Sequence, residues 1–278
     1  MKPVRGHLPK LLLCLVFLAS YAAAQTSNGA RKFDEFGDAQ LSDIAARLDN
    51  FAIELQNQPQ MKGFLIVYRS RRDLPGLSSS LVAWLKNYLV RDRGFSTERI
   101  VAIDGGVASS VSQELWLVPP GAAPTPRSDA YNRVFAGTDS PRKFYEAIYY
   151  ATNFAPESYS FDIGNSFEGF SDALRREPKS WAYLIAYAGY RIEEWEEYND
   201  EGKVIRHGRR KLIEPIRVAR KQLAKDKAIL VNEYRIPASR IKVIYGGYRE
   251  APIMELWISP RGLHAPIPTP NRFPKRTR

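Results

Sequence analysis

The sequence predicts an α+β protein made of two tandem two-layer α/β sandwiches, each with the element order βαβαββ. Three observations lead to this prediction. A stretch near the middle of the chain recurs near its end, the apolar residues change between helical and strand spacing in the same order in both halves, and glycine or proline follows most predicted elements. Because a chain of 278 residues is long enough for two modest domains, we expect an internal duplication.

The repeat is clearest between residues 83–121 and 224–262, which align without a gap at an offset of 141. The two stretches share fourteen of thirty-nine residues, including an Arg-Ile before a Gly-Gly pair and a Glu-Leu-Trp after it. Upstream, residues 51–68 match the second half at an offset of 119, so the second copy carries 22 additional residues. We expect one repeat over residues 31–121 and the other over residues 157–262, with an insert at residues 190–221.

Each element of the first copy follows from local spacing and from the residue that ends it. Apolar residues three and four apart predict two helices, ended by Pro59 and Gly94, and short runs of strand formers predict the strands. Gly105 and Gly106 predict a turn between the last two strands. The order strand, helix, strand, helix, strand, strand then covers residues 32–36, 41–55, 64–68, 81–89, 100–103 and 114–118.

Residues 1–24 have the pattern of a secretory signal peptide. Three cations precede an apolar run, and a small-x-small sequence precedes Gln25. The alternative is a membrane anchor, but the run is shorter than the roughly 20 residues that span a bilayer. The only cysteine, Cys14, lies in this segment, so we expect a mature protein without disulfides or a thiol nucleophile.

The chain is basic, and this limits the classes of partner. Its formal net charge is +11, and about +8 remains without the three cations of the signal peptide. Such a charge favours anionic lipid head groups, wall polymers or nucleic acid. For an exported protein we discount nucleic acid and expect at most peripheral contact with a membrane. A merely soluble basic surface is the alternative.

Two segments carry a resemblance to a known family. The stretches "GFSTERIVAIDGG" and "RIPASRIKVIYGG", each following a predicted helix, resemble the peptidoglycan-associating OmpA-like domain of bacterial envelope proteins, in which a "GIPADKI"-type turn leads to a strand and a glycine turn. The resemblance spans most of each copy. It implies a two-layer α/β fold, a place in the cell envelope and binding to peptidoglycan.

The binding residues of that family are not present at the matching positions. Its members that bind peptidoglycan use an aspartate in a Thr-Asp step after the second strand and an arginine in an Arg-Ala step on the second helix. Here no Thr-Asp follows either strand, and Val82 and Leu223 stand before the matching alanines. Asp73 and Arg220, near the same ends of the two predicted sheets, are the candidates to replace the missing pair.

The insert predicts a hairpin with one acidic and one basic arm. Four glutamates precede an Asn-Asp-Glu-Gly turn signal, and a basic run follows it. The functional interpretation is a protruding recognition element, and the alternative is a self-neutralising hairpin in solvent. The candidate ligand-binding residues of the insert are Trp195, Arg206, Arg209, Arg210 and Lys211.

The connector and the tail complete the predicted organisation. Residues 122–156 begin with a proline-rich linker, and Ser140 followed by Pro141 predicts the start of a helix. Phe144, Tyr145, Ile148 and Tyr149 fit helical spacing. We expect the aromatic residues to pack that helix on a domain, and a carbohydrate-stacking surface is the alternative. Residues 263–278 repeat the proline-rich pattern, end in four cations and predict a disordered basic tail.

The sequence predicts a binding protein and not an enzyme. It shows no nucleophile with a base, no paired carboxylates and no metal-ligand pattern, since His207 has no second ligand nearby, and no cofactor is expected. Asp104 is the best lone carboxylate. We expect the repeated Glu114 and Glu255 to be structural and to pair across the sheet with arginines, namely Arg99 and Arg240.

The expected function is therefore contact with cell-wall polymer or with another envelope protein, in the periplasm or the outer cell envelope. A structural or assembly subunit is the first alternative. A hydrolase with an unrecognised site is the second.

Overall fold

The structure, a computed structural model, describes residues 29–125, 127–131, 140–149 and 166–271. These residues form a mixed α+β protein with two sheets and four α-helices. The predicted signal peptide, much of the connector and the last seven residues of the tail lie outside the described ranges. The strands are β1 (Arg31–Phe36), β2 (Lys62–Arg69), β3 (Ile100–Val107), β4 (Ser112–Val118), β5 (Arg142–Ile148), β6 (Ser180–Tyr198), β7 (Val204–Ile213), β8 (Ile241–Arg249) and β9 (Ile253–Pro260). The helices are α1 (Leu41–Asn57), α2 (Gly76–Asn87), α3 (Phe167–Arg176) and α4 (Ile216–Asn232).

The first sheet has the strand order β1-β4-β2-β3. Strands β2 and β3 are parallel neighbours joined through α2, and β4 is antiparallel to both β1 and β2. Alternate side chains of β2 point to opposite faces. Leu65 and Val67 pack with Leu48 and Phe51 of α1, whereas Tyr68 packs on the other face with β4 and the connector. The helices therefore cover one face, as the apolar spacing predicted.

The second sheet places β5, β9, β6 and β8 in the same order and with the same directions. Lys143 stands opposite Trp257, as Lys32 stands opposite Trp116, and a bulge follows the lysine in both strands. The main difference is β6, which has 19 residues. Its first half lies in the sheet, and its second half leaves the sheet and pairs with β7 as a hairpin.

The helix predicted after Ser140 is wrong, because Arg142–Ile148 forms strand β5 on the edge of the second sheet. The bulge explains the error. It interrupts the two-residue alternation between Lys143 and Tyr145, so Phe144 and Tyr145 are both buried, as neighbouring residues in an amphipathic helix can be. The second sheet consequently begins well before residue 157.

The turn predicted at the glycine pairs is also wrong, because Gly105 and Gly246 lie inside strands β3 and β8. Each glycine is the extra residue of a bulge opposite β2 or β6. A Cβ atom at either position would overlap the ring of a buried tyrosine, Tyr68 or Tyr187. The glycines therefore make room for an aromatic ring on the sheet. The chain reverses only afterwards, at residues 108–111 and 250–252.

The expected pairing of Glu114 with Arg99 and of Glu255 with Arg240 is not formed. Arg99 donates instead to the carbonyl oxygen of Leu55 in the last turn of α1, at 2.8 Å, and Arg240 donates to that of Leu174 in the last turn of α3, at 2.9 Å. The last carbonyls of a helix have no partner within the helix, so an arginine there satisfies them. The glutamates bind the lysines of β1 and β5.

The two halves contact each other through α2, α3 and β5. Gly169 of α3 has no room for a Cβ atom beside Ser79 of α2, and Gly76 is equally close to Phe144 and Tyr145. Helix α2 therefore approaches α3 and β5 closely because glycine is present at both contacts.

Candidate functional site

The structure places the predicted site residues in three different elements. Trp195, Arg206, Arg209, Arg210 and Lys211 all lie on the β6–β7 hairpin. Asp73 lies in the loop after β2, and Arg220 lies on α4. The hairpin therefore brings together five of the seven candidates.

The basic arm of the hairpin is neutralised by the acidic arm across the ladder. Arg210 lies 2.8 Å from Glu193, and Arg209 lies 2.8 Å from Glu194. The hydrogen bond from Arg210 holds the pKa of the Glu193 carboxyl below its ordinary value, and Arg191 adds to the effect. Opposite charges on facing strands support pairing modestly. The ion pairs thus agree with the self-neutralising interpretation of the basic run.

Trp195 is held on the hairpin by a close backbone contact. It stands opposite Gly208, and a Cβ atom at Gly208 would lie 2.8 Å from the indole ring. The guanidinium of Arg206 lies 6.0 Å from the ring centroid. Trp195 remains 38% exposed, so part of the residue is accessible to another molecule.

Asp73 lies in an open cleft of about 920 Å³ at the ends of β2 and β3. The loops at residues 70–73 and 108–111, together with Asp38, Asp129 and Tyr131, line the cleft. The Asp73 carboxylate accepts a hydrogen bond from the amide of Ser70 at 2.7 Å and so shapes the first loop. The carboxyl ends of parallel strands are a common place for binding sites.

The cleft carries both positive and negative side chains, and its two arginines, unlike those of the hairpin, have no carboxylate partner among the described residues. Arg71 and Arg72 are exposed, and neither is paired with a carboxylate among the described residues. Arg71 lies 5.4 Å from the ring centroid of Tyr131. On the facing wall, hydrogen bonds from Arg127 and Ser109 hold the pKa of Asp129 well below its ordinary value. The cleft therefore holds unpaired guanidinium groups and, on its facing wall, a carboxylate whose ionised form is favoured.

Arg220 faces an aromatic group of the second sheet. Its guanidinium lies 6.0 Å from the ring centroid of Tyr245 on β8. Burial raises the pKa of Tyr245 to about 12, so this phenol stays neutral. Asp73 and Arg220 belong to different halves, and they do not form one site.

Two buried glutamates form matching clusters in the two sheets. Glu255 is 1% exposed and accepts hydrogen bonds from Lys143 at 2.7 Å, Arg249 at 2.9 Å and Trp257 at 2.9 Å. Burial alone would raise its pKa, but these donors outweigh burial and hold the pKa below its ordinary value. Glu114 is bound in the same way by Lys32 and Trp116. Because both carboxylates are enclosed, they serve the fold and do not contact ligand.

A buried Tyr-Glu pair was missed by the sequence analysis. The Tyr149 hydroxyl lies 2.9 Å from Glu214, and the amide of Gly189 donates to the same carboxyl. Burial raises the pKa of Glu214, although the hydrogen bond from Tyr149 opposes the rise. The pair lies in the second half at the position that corresponds to the cleft of the first half. Strand β2 ends beside the cleft, whereas β6 continues through Gly189 at the corresponding position. No local pattern marks Glu214, because its burial depends on the hairpin.

The carboxylate of Asp104 is held within the fold. Both carboxylate oxygens of Asp104 are occupied, one by Ser78 and the other by the amide of Gly106, each at 2.9 Å. Within the described ranges, no three His, Cys, Asp or Glu side chains are grouped to hold a metal ion. In the same part of the chain, no helix has the length and apolar character needed to cross a membrane.

No protein-family model matches the sequence, and no curated protein or solved structure is significantly similar to it.

Proposed function

We propose that this chain is an exported, non-catalytic binding protein of the bacterial cell envelope, whose halves are tandem copies of an OmpA-like domain. The common strand order of the two sheets, the matching bulges and the two lysine–glutamate clusters support the duplication. The resemblance of the two "GFSTERI" and "RIPASRI" segments supports the family. The signal-peptide pattern supports export to the periplasm or outer envelope.

The cleft in the first half is the observation that carries the binding proposal. It is concave and lies at the ends of two parallel strands, and its unpaired cations stand near carboxylates. A ligand with both carboxylate and ammonium groups complements such a surface. Bacterial cell-wall peptide, with free carboxylates and amines, has this chemistry. Arg71 and Arg72 would bind the carboxylates, and Asp38 would bind an amine.

Retention on purified cell-wall sacculi tests this proposal. The cleft variant replaces Arg71 and Arg72 with alanine, and the matched control replaces Lys221 and Lys225 of α4, which are equally exposed. Both variants lose two positive charges. We expect retention at low salt to fall at least fivefold in the cleft variant and to stay within twofold in the control, with weaker retention at high salt because exposed charges are screened.

Two results would count against wall binding in the cleft. The first is a wild-type protein that is not retained at either salt concentration. The second is an equal loss in both double variants, which would indicate attraction by net charge alone.

An assembly subunit is the second candidate function, and one observation favours it. The hairpin extends beyond its sheet and exposes Ile192, Tyr198 and Ile205 to solvent, at 44%, 57% and 54%. Apolar side chains on a protruding strand pair are typical of a contact surface for another chain. This surface is separate from the cleft.

A further inference from the structure

The hairpin formed by β6 beyond Gly189 and by β7 has an unpaired edge. Strand β7 pairs with β6 on one side, and no strand pairs with its other side in the described part of the chain. An open strand edge presents a row of amide and carbonyl groups that another strand can join. The outer edge of β7 is therefore available to a further strand.

The hydrogen-bond pattern shows which backbone amides and carbonyls of β7 point to the open edge. The amide of Glu214 donates to the carbonyl of Gly189 at 2.9 Å, so this pair is hydrogen bonded. In an antiparallel ladder such pairs alternate with pairs that are not hydrogen bonded. With the observed register, the backbone amides and carbonyls of Arg206, Gly208 and Arg210 point toward β6. The amides and carbonyls that point to the open edge belong to His207, Arg209 and Lys211.

The cations of β7 favour an acidic partner at this edge, although three of them are paired with glutamates of β6. The guanidinium-bearing side chains of Arg206, Arg209 and Arg210 are 71%, 76% and 65% exposed although each has a glutamate across the ladder. Lys211 stands opposite Ile192 and is exposed without an ion pair among the described residues. An incoming strand would lie beside all four cations, on the side opposite the glutamates of β6. Cross-strand pairs of opposite charge favour pairing, and like charges oppose it.

A second copy of this chain does not fit the edge. Two-fold pairing of β7 with itself, centred on Arg209, would place Arg209 opposite Arg209 and would bring the basic strands of the two copies side by side. If copies instead added side by side with their hairpins in the same direction, neighbouring hairpins would lie two strands apart, or roughly 10 Å. Each four-stranded sheet, however, is roughly 19 Å wide. The folded halves would then collide.

We infer that the outer edge of β7 binds an acidic, extended segment of another polypeptide by β-strand addition. Backbone hydrogen bonds to His207, Arg209 and Lys211 would give the pairing, and the four cations would select the charge of the incoming strand. This interaction uses a surface separate from the cleft, so either proposal can fail without the other.

Two labelled decapeptides test the inference on the full-length mature chain. One alternates glutamate with threonine, and the other alternates lysine with threonine, so both favour extended structure and differ only in charge. We expect only the acidic peptide to bind the protein, and its fluorescence anisotropy to rise on binding. Its affinity should fall as the salt concentration rises. Amide exchange should show new protection at His207, Arg209 and Lys211, and unchanged exchange at Arg206 and Gly208.

A proline variant separates strand addition from simple charge attraction. His207→Pro removes an outward amide that β6 does not use, and proline is tolerated at the edge of a sheet. His207→Thr is the matched control. We expect about tenfold weaker binding of the acidic peptide for the proline variant and no change for the control.

Several results would overturn the inference. These are equal binding of both peptides, binding of neither peptide, equal affinity in the proline and threonine variants, and protection of the outward amides before any peptide is added. Amide exchange on the unmodified protein decides the question even if His207→Pro disturbs the hairpin.

Discussion

Replacing Glu255 with glutamine would change one buried charge while leaving the shape of the side chain almost unchanged. One carboxylate oxygen accepts from Lys143 and Arg249, and the other accepts from Trp257 and lies 3.3 Å from the Tyr187 hydroxyl. Glutamine has a single oxygen, and its amino group would face donors on the other side. At least one buried donor, such as the indole N–H of Trp257, would therefore lose its acceptor.

The size of the effect follows from these contacts. A buried donor without an acceptor costs roughly 1 to 3 kcal/mol, and removing one partner of a buried ion pair costs roughly 3 to 5 kcal/mol. Lys143 keeps its contact with Glu146, so the lower part of this range applies. We expect Glu255→Gln to lower the free energy of unfolding by about 3 kcal/mol, which corresponds to a melting temperature roughly 6 to 12 °C lower.

The loss should depend on pH in a defined direction. Because the pKa of Glu255 in the folded protein is below its ordinary value of 4.5, its charge stabilises the fold fully above pH 4.5. That contribution disappears as the pH falls through the folded-state pKa. The difference in free energy of unfolding between wild type and Glu255→Gln should therefore be largest at neutral pH and should shrink below pH 4.5.

Chemical denaturation at pH 7 and at pH 3.5 measures both quantities. Glu250→Gln is the matched control, since Glu250 is exposed in the turn between β8 and β9 and should change stability by less than about 0.5 kcal/mol. Equal midpoints for Glu255→Gln and wild type at pH 7, or a difference that does not vary with pH, would refute the assigned role of this carboxylate.

Two further predictions concern buried side chains. Gly246→Ala should lower the free energy of unfolding by about 1 to 3 kcal/mol, because the new Cβ atom would lie 2.5 Å from the buried ring of Tyr187. The control Gly29→Ala meets no atom within 4 Å and should be nearly neutral, and urea denaturation compares the two variants. Tyr149→Phe should cost about 1 to 2 kcal/mol, and more at high pH than at low pH, because the hydrogen bond from the hydroxyl favours the ionised form of Glu214; a loss independent of pH would contradict this.

Most of the fold could be predicted from local apolar spacing. The helices and inner strands of the first half appear close to their expected places, because each buries a continuous apolar face or run. Strand β5 could not be predicted from spacing, since its bulge makes the burial of Phe144 and Tyr145 helix-like. A direct comparison of "RKF" at residues 31–33 and 142–144 was the available signal.

The candidate site was less accessible from the sequence. The basic run of the insert was visible, but its neutralisation depends on the register of β6 and β7, which fixes Glu193 opposite Arg210. The cleft around Asp73 depends on two loops that are distant in sequence. The burial of Glu214 depends on both the hairpin and β5. Such relations arise from tertiary structure, and local patterns do not encode them.

The length of β6 has a mechanical consequence. The same strand forms one arm of the exposed hairpin and lies between β9 and β8 inside the second sheet. A pull on the hairpin along β6 would reach the middle of the sheet through the covalent backbone, without an intervening loop. The two ladders that β6 forms with β8 and β9 would be loaded in shear, so many hydrogen bonds would have to break together. A partner bound to the hairpin would thus be tethered firmly to the folded body.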